Sequence, residues 1–186
     1  MFLSMRLLLV CTFLLFCFGS CLKGRKSTET KAPEAIIDSA FLQYFRQTNG
    51  LTAAQGTNSI LLSNGKTLWL FGNGHIDDYD ALSGLIACTT NVKNAAMLSD
   101  SNFTMQTLNI GMNDFIPSNE HTKYFTPLHG YEYNDTVYIF AKKEGGGVNT
   151  RTYLAKFTMP TLQYLSIDSF NFNNTNYGYT VFSDTA

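Results

Sequence analysis

Two strands joined by a tight turn between Ser59 and Asn73 constrain the fold more than any other part of this sequence. The pair Asn64-Gly65 between them tolerates positive φ angles at both central positions of a two-residue type I′ turn. The strand after the turn, Thr67–Phe71, has apolar residues on both faces, so it needs cover on both sides. The sequence therefore predicts a hairpin inside stacked β-sheets.

The same pattern returns downstream, where Gly130–Tyr133, the turn pair Asn134-Asp135 and Thr136–Phe140 follow one another. If Trp69 corresponds to Tyr138, the repeat is 69 residues long. That is long for one four-stranded blade of a β-propeller, but it fits a blade with a long internal loop. The pattern thus indicates weak internal repetition.

Further apolar segments of strand length accompany both hairpins. They are Leu85–Val92, Ala95–Leu98 and Phe103–Ile110 near the first, Tyr124–Leu128, Thr152–Phe157 and Leu162–Leu165 near the second, and Tyr177–Phe182 after them. We expect an all-β fold, a partial β-propeller of about two blades plus the start of a third. A small β-sandwich of about nine short strands is the alternative. Because open blades leave apolar faces uncovered, we expect an N-terminal portion of a longer protein.

Residues 1–21 have the features of a secretory signal, with Arg6 before an apolar run that ends at Gly19-Ser20-Cys21. The pattern resembles a bacterial lipoprotein signal, with Phe18 where Leu is usual, and this resemblance implies lipidation of Cys21. An ordinary signal peptide or a single membrane anchor is the alternative. Residues 22–33 are polar and predict a flexible tether, so the domain is expected over 34–186. We therefore expect an exported protein anchored by its lipid in the bacterial cell envelope, at the periplasmic or surface face of the outer membrane.

Charge and cysteine content narrow the function classes. The net charge of −1 with mixed signs excludes a basic footprint for nucleic acid. If Cys11 and Cys17 leave with the signal and Cys21 carries lipid, Cys88 remains alone and no intrachain disulfide can form. The apolar run around Cys88 predicts a buried, inert thiol.

Several segments together resemble uncharacterised bacterial lipoprotein families with a five-bladed β-propeller, which are distantly similar to arabinanase-like glycoside hydrolases. The segments are Phe41–Phe45, Thr52–Ser59, Leu68–Gly72, Tyr124–Gly130 and Asn134–Phe140. The resemblance implies an extracytoplasmic module with a carbohydrate-related role. The sequence departs from the family pattern at Gln55, Asn58 and Asn73, which stand where acids are expected. Because amides do not exchange a catalytic proton at neutral pH, these positions argue against retained glycosidase chemistry.

Glycoside cleavage usually needs two carboxyl groups about 5–5.5 Å or about 6.5–9.5 Å apart. Asp77 and Asp78 from one loop and His129 from the second unit are the predicted catalytic residues, because loops of successive blades converge near a propeller axis. Glu120 and His121 are further candidates. The predicted binding residues are Asn58, Asn73, His75, Asp80 and Glu132.

Other readings of the same residues stay open. Asp77, Asp78 and Asp80 have oxygen ligands that suit Ca²⁺, although the EF-hand pattern is absent, and a solvated turn is the simpler explanation. No metal or other cofactor is expected. Tyr79, Tyr131, Tyr133 and Tyr177 suit stacking on sugar rings, yet packing between blades uses the same residues.

Three functions follow, each with its own structural signature. A degenerate glycoside hydrolase relative should bring two carboxyl groups together in a central pocket. A glycan-binding protein should have an aromatic-lined groove without such a pair. A structural surface protein should have neither feature and present a flat, polar face.

Overall fold

The structure, a computed structural model, describes residues 39, 47–146, 151–170 and 177–181. All of them belong to the unit Asp38–Ala186. The predicted signal peptide, the tether and Cys21 lie outside the described residues. Among the described residues, no helix is both long and apolar enough to cross a bilayer.

The described residues form twelve β-strands, which confirms the all-β prediction. Their bounds are β1 Leu51–Ala54, β2 Asn58–Leu61, β3 Thr67–Phe71, β4 Gly74–Ile76, β5 Tyr79–Asp80, β6 Leu85–Ile86, β7 Ala95–Ser99, β8 Met105–Thr107, β9 Tyr124–Tyr133, β10 Thr136–Glu144, β11 Thr152–Thr158 and β12 Tyr164–Phe170. Short alternating segments between Gly- and Asn-containing turns account for this pattern.

Two four-stranded antiparallel sheets make up most of the domain. The first sheet has the order β2-β3-β7-β8, and the second has the order β9-β10-β11-β12. Two short ladders, β1-β4 and β5-β6, accompany them. Trp69 and Tyr138 both lie on the second strand of their sheet, as the repeat predicts. Among the described residues the sheets do not close into a ring, so a partial propeller and a sandwich both fit.

The apolar strand β3 is covered on both faces, as predicted. Leu68 and Leu70 are almost fully buried in a cluster that continues into Val137 and Ile139 of the second sheet. Phe71 lies in a separate cluster with β1 and β4 residues such as Ile76. Each buried side chain of this size stabilises the fold by about 1.5–3 kcal/mol, so both faces contribute.

A single amide side chain links the segment before β7 to the start of the second sheet. Asn94 is fully buried, and its Nδ2 donates to the carbonyl oxygens of Ile116 at 3.1 Å and Phe125 at 2.9 Å. Its Oδ1 accepts from the backbone N–H of Ile116 at 2.6 Å. The buried amide is therefore satisfied by backbone partners rather than by another side chain.

The β2–β3 turn differs from the prediction. Gly65 has a φ of 78°, whereas Asn64 is not in the positive-φ region. Gly65 N–H donates to Leu62 O at 3.0 Å, and Leu62 N–H donates to Lys66 O at 2.8 Å. The type I′ prediction is thus wrong, because the loop is one residue longer and places only its last residue, a glycine, in the left-handed region.

The β9–β10 turn is a two-residue turn, as predicted. Asn134 and Asp135 have φ angles of 47° and 56°, and Tyr133 pairs directly with Thr136. Asn and Asp tolerate this conformation better than other non-glycine residues, so the turn sets the register of the hairpin.

The predicted strand Leu85–Val92 is largely wrong. Only Leu85 and Ile86 form a strand, which pairs with β5 and leaves both residues exposed. Cys88 is exposed as well, so the prediction of a buried thiol is also wrong. Residues 85–89 are exposed, whereas Val92 is buried and forms an isolated bridge with Gly74. Apolar composition alone therefore does not bury the first part of this run.

Candidate functional site

A groove of about 940 Å³ lies along the contact between the first strands of the two sheets, β2 and β9. We call it the β2–β9 groove. Its lining includes Ser59 and Leu61 of β2, Ser63 of the following loop, His129–Asp135 and Val181. Gly130 lets the strands approach closely, because an added Cβ would lie 2.2 Å from Tyr138 O and 2.8 Å from Ile60 Cδ1.

A β-bulge places His129 in this groove. Gly130 pairs with Ile139 and Pro127 pairs with Ala141, so Leu128 and His129 together oppose Phe140 alone. The bulge releases the His129 backbone N–H from the ladder, and it donates instead to Gly178 O at 2.7 Å. Bulges of this kind re-aim side chains and often lie next to functional sites.

The side chain of His129 carries an unused polar atom. Its Nδ1 is buried and has no hydrogen-bond partner among the described residues. A buried polar atom without a partner is rare in folded proteins, and leaving it so costs about 1–3 kcal/mol. A ligand group that hydrogen-bonds to this nitrogen would remove that cost.

Glu132 connects the groove to the β2–β3 loop. Its Oε2 accepts from the backbone N–H of Ser63 at 2.7 Å, and its Oε1 accepts from the Ser63 hydroxyl at 2.6 Å. Both carboxylate oxygens therefore already have a partner. Glu132 holds the loop of one sheet against the first strand of the other.

The described lining of the groove has two tyrosine rings, one packed against the second sheet and one exposed to solvent. Tyr131 stacks on Tyr138, with ring centroids 5.2 Å apart and an interplanar angle of 14°. Tyr133, by contrast, is 62% exposed at the end of β9. Tyr133 is therefore available to stack on a ligand, whereas Tyr131 supports the wall.

Val181, at the end of the described segment 177–181, lines another side of the groove. Gly178 packs so tightly on Phe140 that an added Cβ would lie 2.1 Å from the Phe140 Cβ. Tyr177 N–H donates to the Thr152 hydroxyl at 3.0 Å. These contacts hold Val181 against the groove.

The predicted loop acids line a different cavity, of about 410 Å³, beside the β5–β6 hairpin. Asp77 Oδ1 accepts from Gly50 N–H at 2.6 Å, and its own N–H donates to Gly50 O at 2.8 Å. Asp80 accepts from the Ser83 hydroxyl at 2.6 Å, and this bond is the main cause of a lowered Asp80 pKa. The Asp77 carboxylate thus ties the residue after β4 to the residue before β1, whereas the Asp80 carboxylate stabilises a local turn.

His75, a predicted binding residue, and Asp78, a predicted catalytic residue, form a pair. His75 is 7% exposed, and its Nδ1 lies 2.7 Å from Asp78 Oδ2. A carboxylate in this position orients an imidazole when Nδ1 carries the proton. Asp78 lines the cavity beside the β5–β6 hairpin, whereas His75 is not among its lining residues.

Asn58 and Asn73 lie at the end of the first sheet opposite its hairpin loop. Asn58 opens β2 opposite Leu70, and Asn73 follows β3. The Asn73 carbonyl accepts from Gln55 N–H at 2.9 Å, whereas its Oδ1 is buried without a partner among the described residues. Neither asparagine lines the β2–β9 groove.

Glu120 belongs to a surface ion-pair network. Its carboxylate contacts the ammonium groups of Lys123 and Lys143. Hydrogen bonds from Lys123 and then Lys143 hold the Glu120 pKa below its ordinary value of 4.5. His121, beside it, is exposed. Among the described residues, no group of three His, Cys, Asp or Glu side chains is placed to share a metal ion.

The structure therefore brings His129 and Glu132 into one groove, and Asp77, Asp78 and Asp80 into another cavity. It does not place the loop acids in the groove of His129. The groove also contains Ser63, Asp135 and Val181, which were not predicted from the sequence. Only the packing of two hairpins that are distant in the chain brings them together, so no local pattern identifies them.

Comparison with known proteins adds a family and a fold. The family model of a domain of unknown function (DUF5005) matches residues 38–186. No curated protein matches the sequence. The expected membership in a family of unknown function is confirmed, whereas the resemblance to lipoproteins, five-bladed propellers and arabinanase-like hydrolases stays a prediction.

One solved structure shares the fold. It is a "putative hydrolase" from Bacteroides ovatus ATCC 8483, with a TM-score of 0.60 and 13% sequence identity. The match covers 78% of this chain and 46% of that chain, so this chain spans less than half of that protein's length. At this identity the likeness concerns the fold alone.

Proposed function

We propose that this chain, which belongs to the family of the domain of unknown function DUF5005, binds a saccharide in the β2–β9 groove. In this proposal it is a lipid-anchored, extracytoplasmic module related to glycoside hydrolases. The observation that carries the proposal is the groove itself. It combines an exposed ring, Tyr133, with the unpartnered Nδ1 of His129.

Sugar recognition uses these two kinds of group together. An exposed aromatic ring covers the apolar face of a pyranose, and buried polar atoms bond to hydroxyl groups and fix the orientation. The bulge at His129 and the contact of Gly178 with Phe140 hold the groove in place before a ligand arrives. A preformed groove binds with a smaller loss of conformational entropy.

The arrangement of carboxyl groups favours binding over hydrolysis. Within the described part of the groove the acidic residues are Glu132, whose oxygens bond to Ser63, and Asp135 on the β9–β10 turn. The loop acids Asp77 and Asp78 line another cavity. A glycosidase needs two carboxyl groups that act on one sugar, and here Ser63 already occupies both oxygens of Glu132, so the groove favours a non-catalytic role.

Glycoside hydrolysis is the second candidate function, and the shared fold with the Bacteroides ovatus protein, whose name describes it as a hydrolase, favours it. That protein is more than twice as long as the matched part, so its activity is not transferred to this chain.

We propose a partial propeller as the architecture and Cys21 as the anchor. The two four-stranded sheets place their first strands, β2 and β9, side by side, which is how blades meet around an axis. The signal-like segment before Cys21 supports export and lipidation. Labelling with a fatty-acid analogue should mark the membrane-bound chain and be lost in Cys21→Ser.

A glycan array followed by calorimetry on the exported chain tests the binding proposal. We expect binding to at least one neutral oligosaccharide, and about tenfold weaker binding in Tyr133→Ala or His129→Ala, because stacking and a buried hydrogen bond are each lost. Tyr79→Ala, at the separate cavity, is the matched control. Circular dichroism verifies that each variant folds. Equal affinity in all variants would contradict the proposal, and release of reducing ends would favour the hydrolase.

A further inference from the structure

The charges of the β2–β9 groove have one sign. Its described lining contains the carboxylates of Glu132 and Asp135 and contains no lysine or arginine. His129 is the remaining titratable group with basic character. Asp135 lies on the exposed β9–β10 turn, so its carboxylate faces solvent at the end of the groove.

Two lysines of neighbouring segments, Lys66 and Lys156, do not line the groove. Lys66, in the β2–β3 loop, contributes to the lowered pKa of Asp100, which is mainly due to a backbone hydrogen bond from Thr104. Lys156, on the strand next to β10, pairs with Asp168 at 2.9 Å. Neither cation lines the groove, so the two carboxylates are not neutralised there.

We propose that the groove selects uncharged saccharides over their uronic-acid counterparts, with Glu132 and Asp135 as the residues that determine this specificity. The inference rests on the proposed saccharide-binding function. A carboxylate on the ligand would approach the two carboxylates of the groove, and like charges placed together lower affinity.

The hydrogen-bond acceptors of the groove also favour uncharged saccharides. Asp135 offers acceptor oxygens, and both oxygens of Glu132 already accept from Ser63. Sugar hydroxyl groups can donate to such acceptors, whereas a uronate carboxylate can only accept. A ligand with a carboxylate in this groove would therefore lose hydrogen bonds and gain repulsion.

Matched ligand pairs test the inference. Cellotetraose, mannotetraose and galactotetraose are each compared with the same oligosaccharide after oxidation of its primary hydroxyl groups to carboxylates. Calorimetry on the exported chain should give at least about tenfold weaker binding of the oxidised member at low salt. Raising the NaCl concentration should narrow the difference, because salt screens charges at this separation.

Two variants that each remove one negative charge show whether Glu132 and Asp135 cause the discrimination between neutral and oxidised saccharides. Glu132→Gln keeps the shape of the side chain, and its amide can still bond to Ser63, while Asp135→Asn tolerates the positive φ of the turn. We expect the double variant to reduce the discrimination several-fold, and Asp80→Asn, in the other cavity, to leave it unchanged.

The outcomes separate the two proposals. Equal binding of neutral and oxidised members, or discrimination that the double variant leaves intact, would overturn this inference and leave the saccharide-binding function standing. Absence of binding by every tetrasaccharide pair and by every glycan of the array would overturn the saccharide-binding function itself.

Discussion

Asn94 illustrates how much one buried side chain contributes to the joining of the two sheets. It makes three hydrogen bonds to backbone atoms of Ile116 and Phe125 and has no contact with solvent. An asparagine in a polar-looking segment is usually expected at the surface. Its role here depends on two backbone segments that lie more than twenty residues further along the chain.

Asn94→Ala should lower the free energy of unfolding by about 3 kcal/mol, because it leaves buried backbone groups without partners. Urea denaturation followed by the fluorescence of the single tryptophan, Trp69, measures this loss. Asn119→Ala, at an exposed position, is the control and should change stability by less than about 0.5 kcal/mol. A loss at Asn94 no larger than the control would contradict the proposed role.

Glu120 should make stability depend on acid pH. Its pKa is held below 4.5 by Lys123 first and then Lys143, so the carboxylate is stabilised in the folded state. This contribution is present above the unfolded pKa and is lost as the pH falls through the lower folded value. Glu120→Gln should therefore show a smaller fall in stability between pH 5 and the acid limit of folding, measured by denaturation at each pH. The same pH dependence of stability in the unmodified protein and in Glu120→Gln would contradict this prediction.

At the scale of elements, the two hairpins show that similar sequences can form different turns. Asn134-Asp135 places both residues at positive φ, whereas in Asn64-Gly65 only the glycine does so. The β2–β3 loop is one residue longer, and its Ser63 bonds to Glu132 of the other sheet. A tertiary contact thus accompanies a turn that the local sequence alone does not specify.

Gly65→Ala should destabilise the protein by about 1–2 kcal/mol, since its φ of 78° is unfavourable for a residue with a Cβ. Nothing lies within 4 Å of an added Cβ, so backbone strain alone would cause the loss. Asn64→Asp keeps an acceptor at a position without positive φ and should stay within about 0.5 kcal/mol. Thermal denaturation of both variants measures the two losses of stability. Equal losses would indicate that residue 64 also needs a positive φ, as in a type I′ turn.

The β5–β6 ladder shows the opposite case, an apolar segment that no sheet covers. Leu82 is 99% exposed and Leu85 65% exposed. The thiol of Cys88 should therefore react with a maleimide in native buffer, located by mass spectrometry of the digested protein. Cys88→Ser is the control. Modification that required denaturant would show that the segment is buried in solution.

At the scale of the whole molecule, stability should be concentrated between the two sheets. Leu68 of the first sheet and Ile139 of the second are fully buried in one cluster. Native-state hydrogen exchange should give their amides opening free energies close to that of global unfolding, while Leu85 and Ile86 open locally at a cost near zero. Similar protection of both regions would contradict this division.

The candidate site was predictable only in part. His129 and Glu132 were identified as candidates from residue type, and they do line one groove. Ser63, Asp135 and Val181 were not, because nothing in their own segments marks them. The meeting of the loop acids with His129 was expected from blade geometry, but Asp77 and Asp78 line another cavity beside the β5–β6 hairpin.

The sequence by itself determined the all-β class, the two repeated hairpins and the double cover of β3, because alternation and turn residues act over a few positions. Only the tertiary structure decided which polar groups meet. The bulge at His129, the loop held by Ser63 and Glu132, and the exposure of Cys88 depend on which segments pack together. Packing of this kind joins residues far apart in the chain, and local patterns do not encode it.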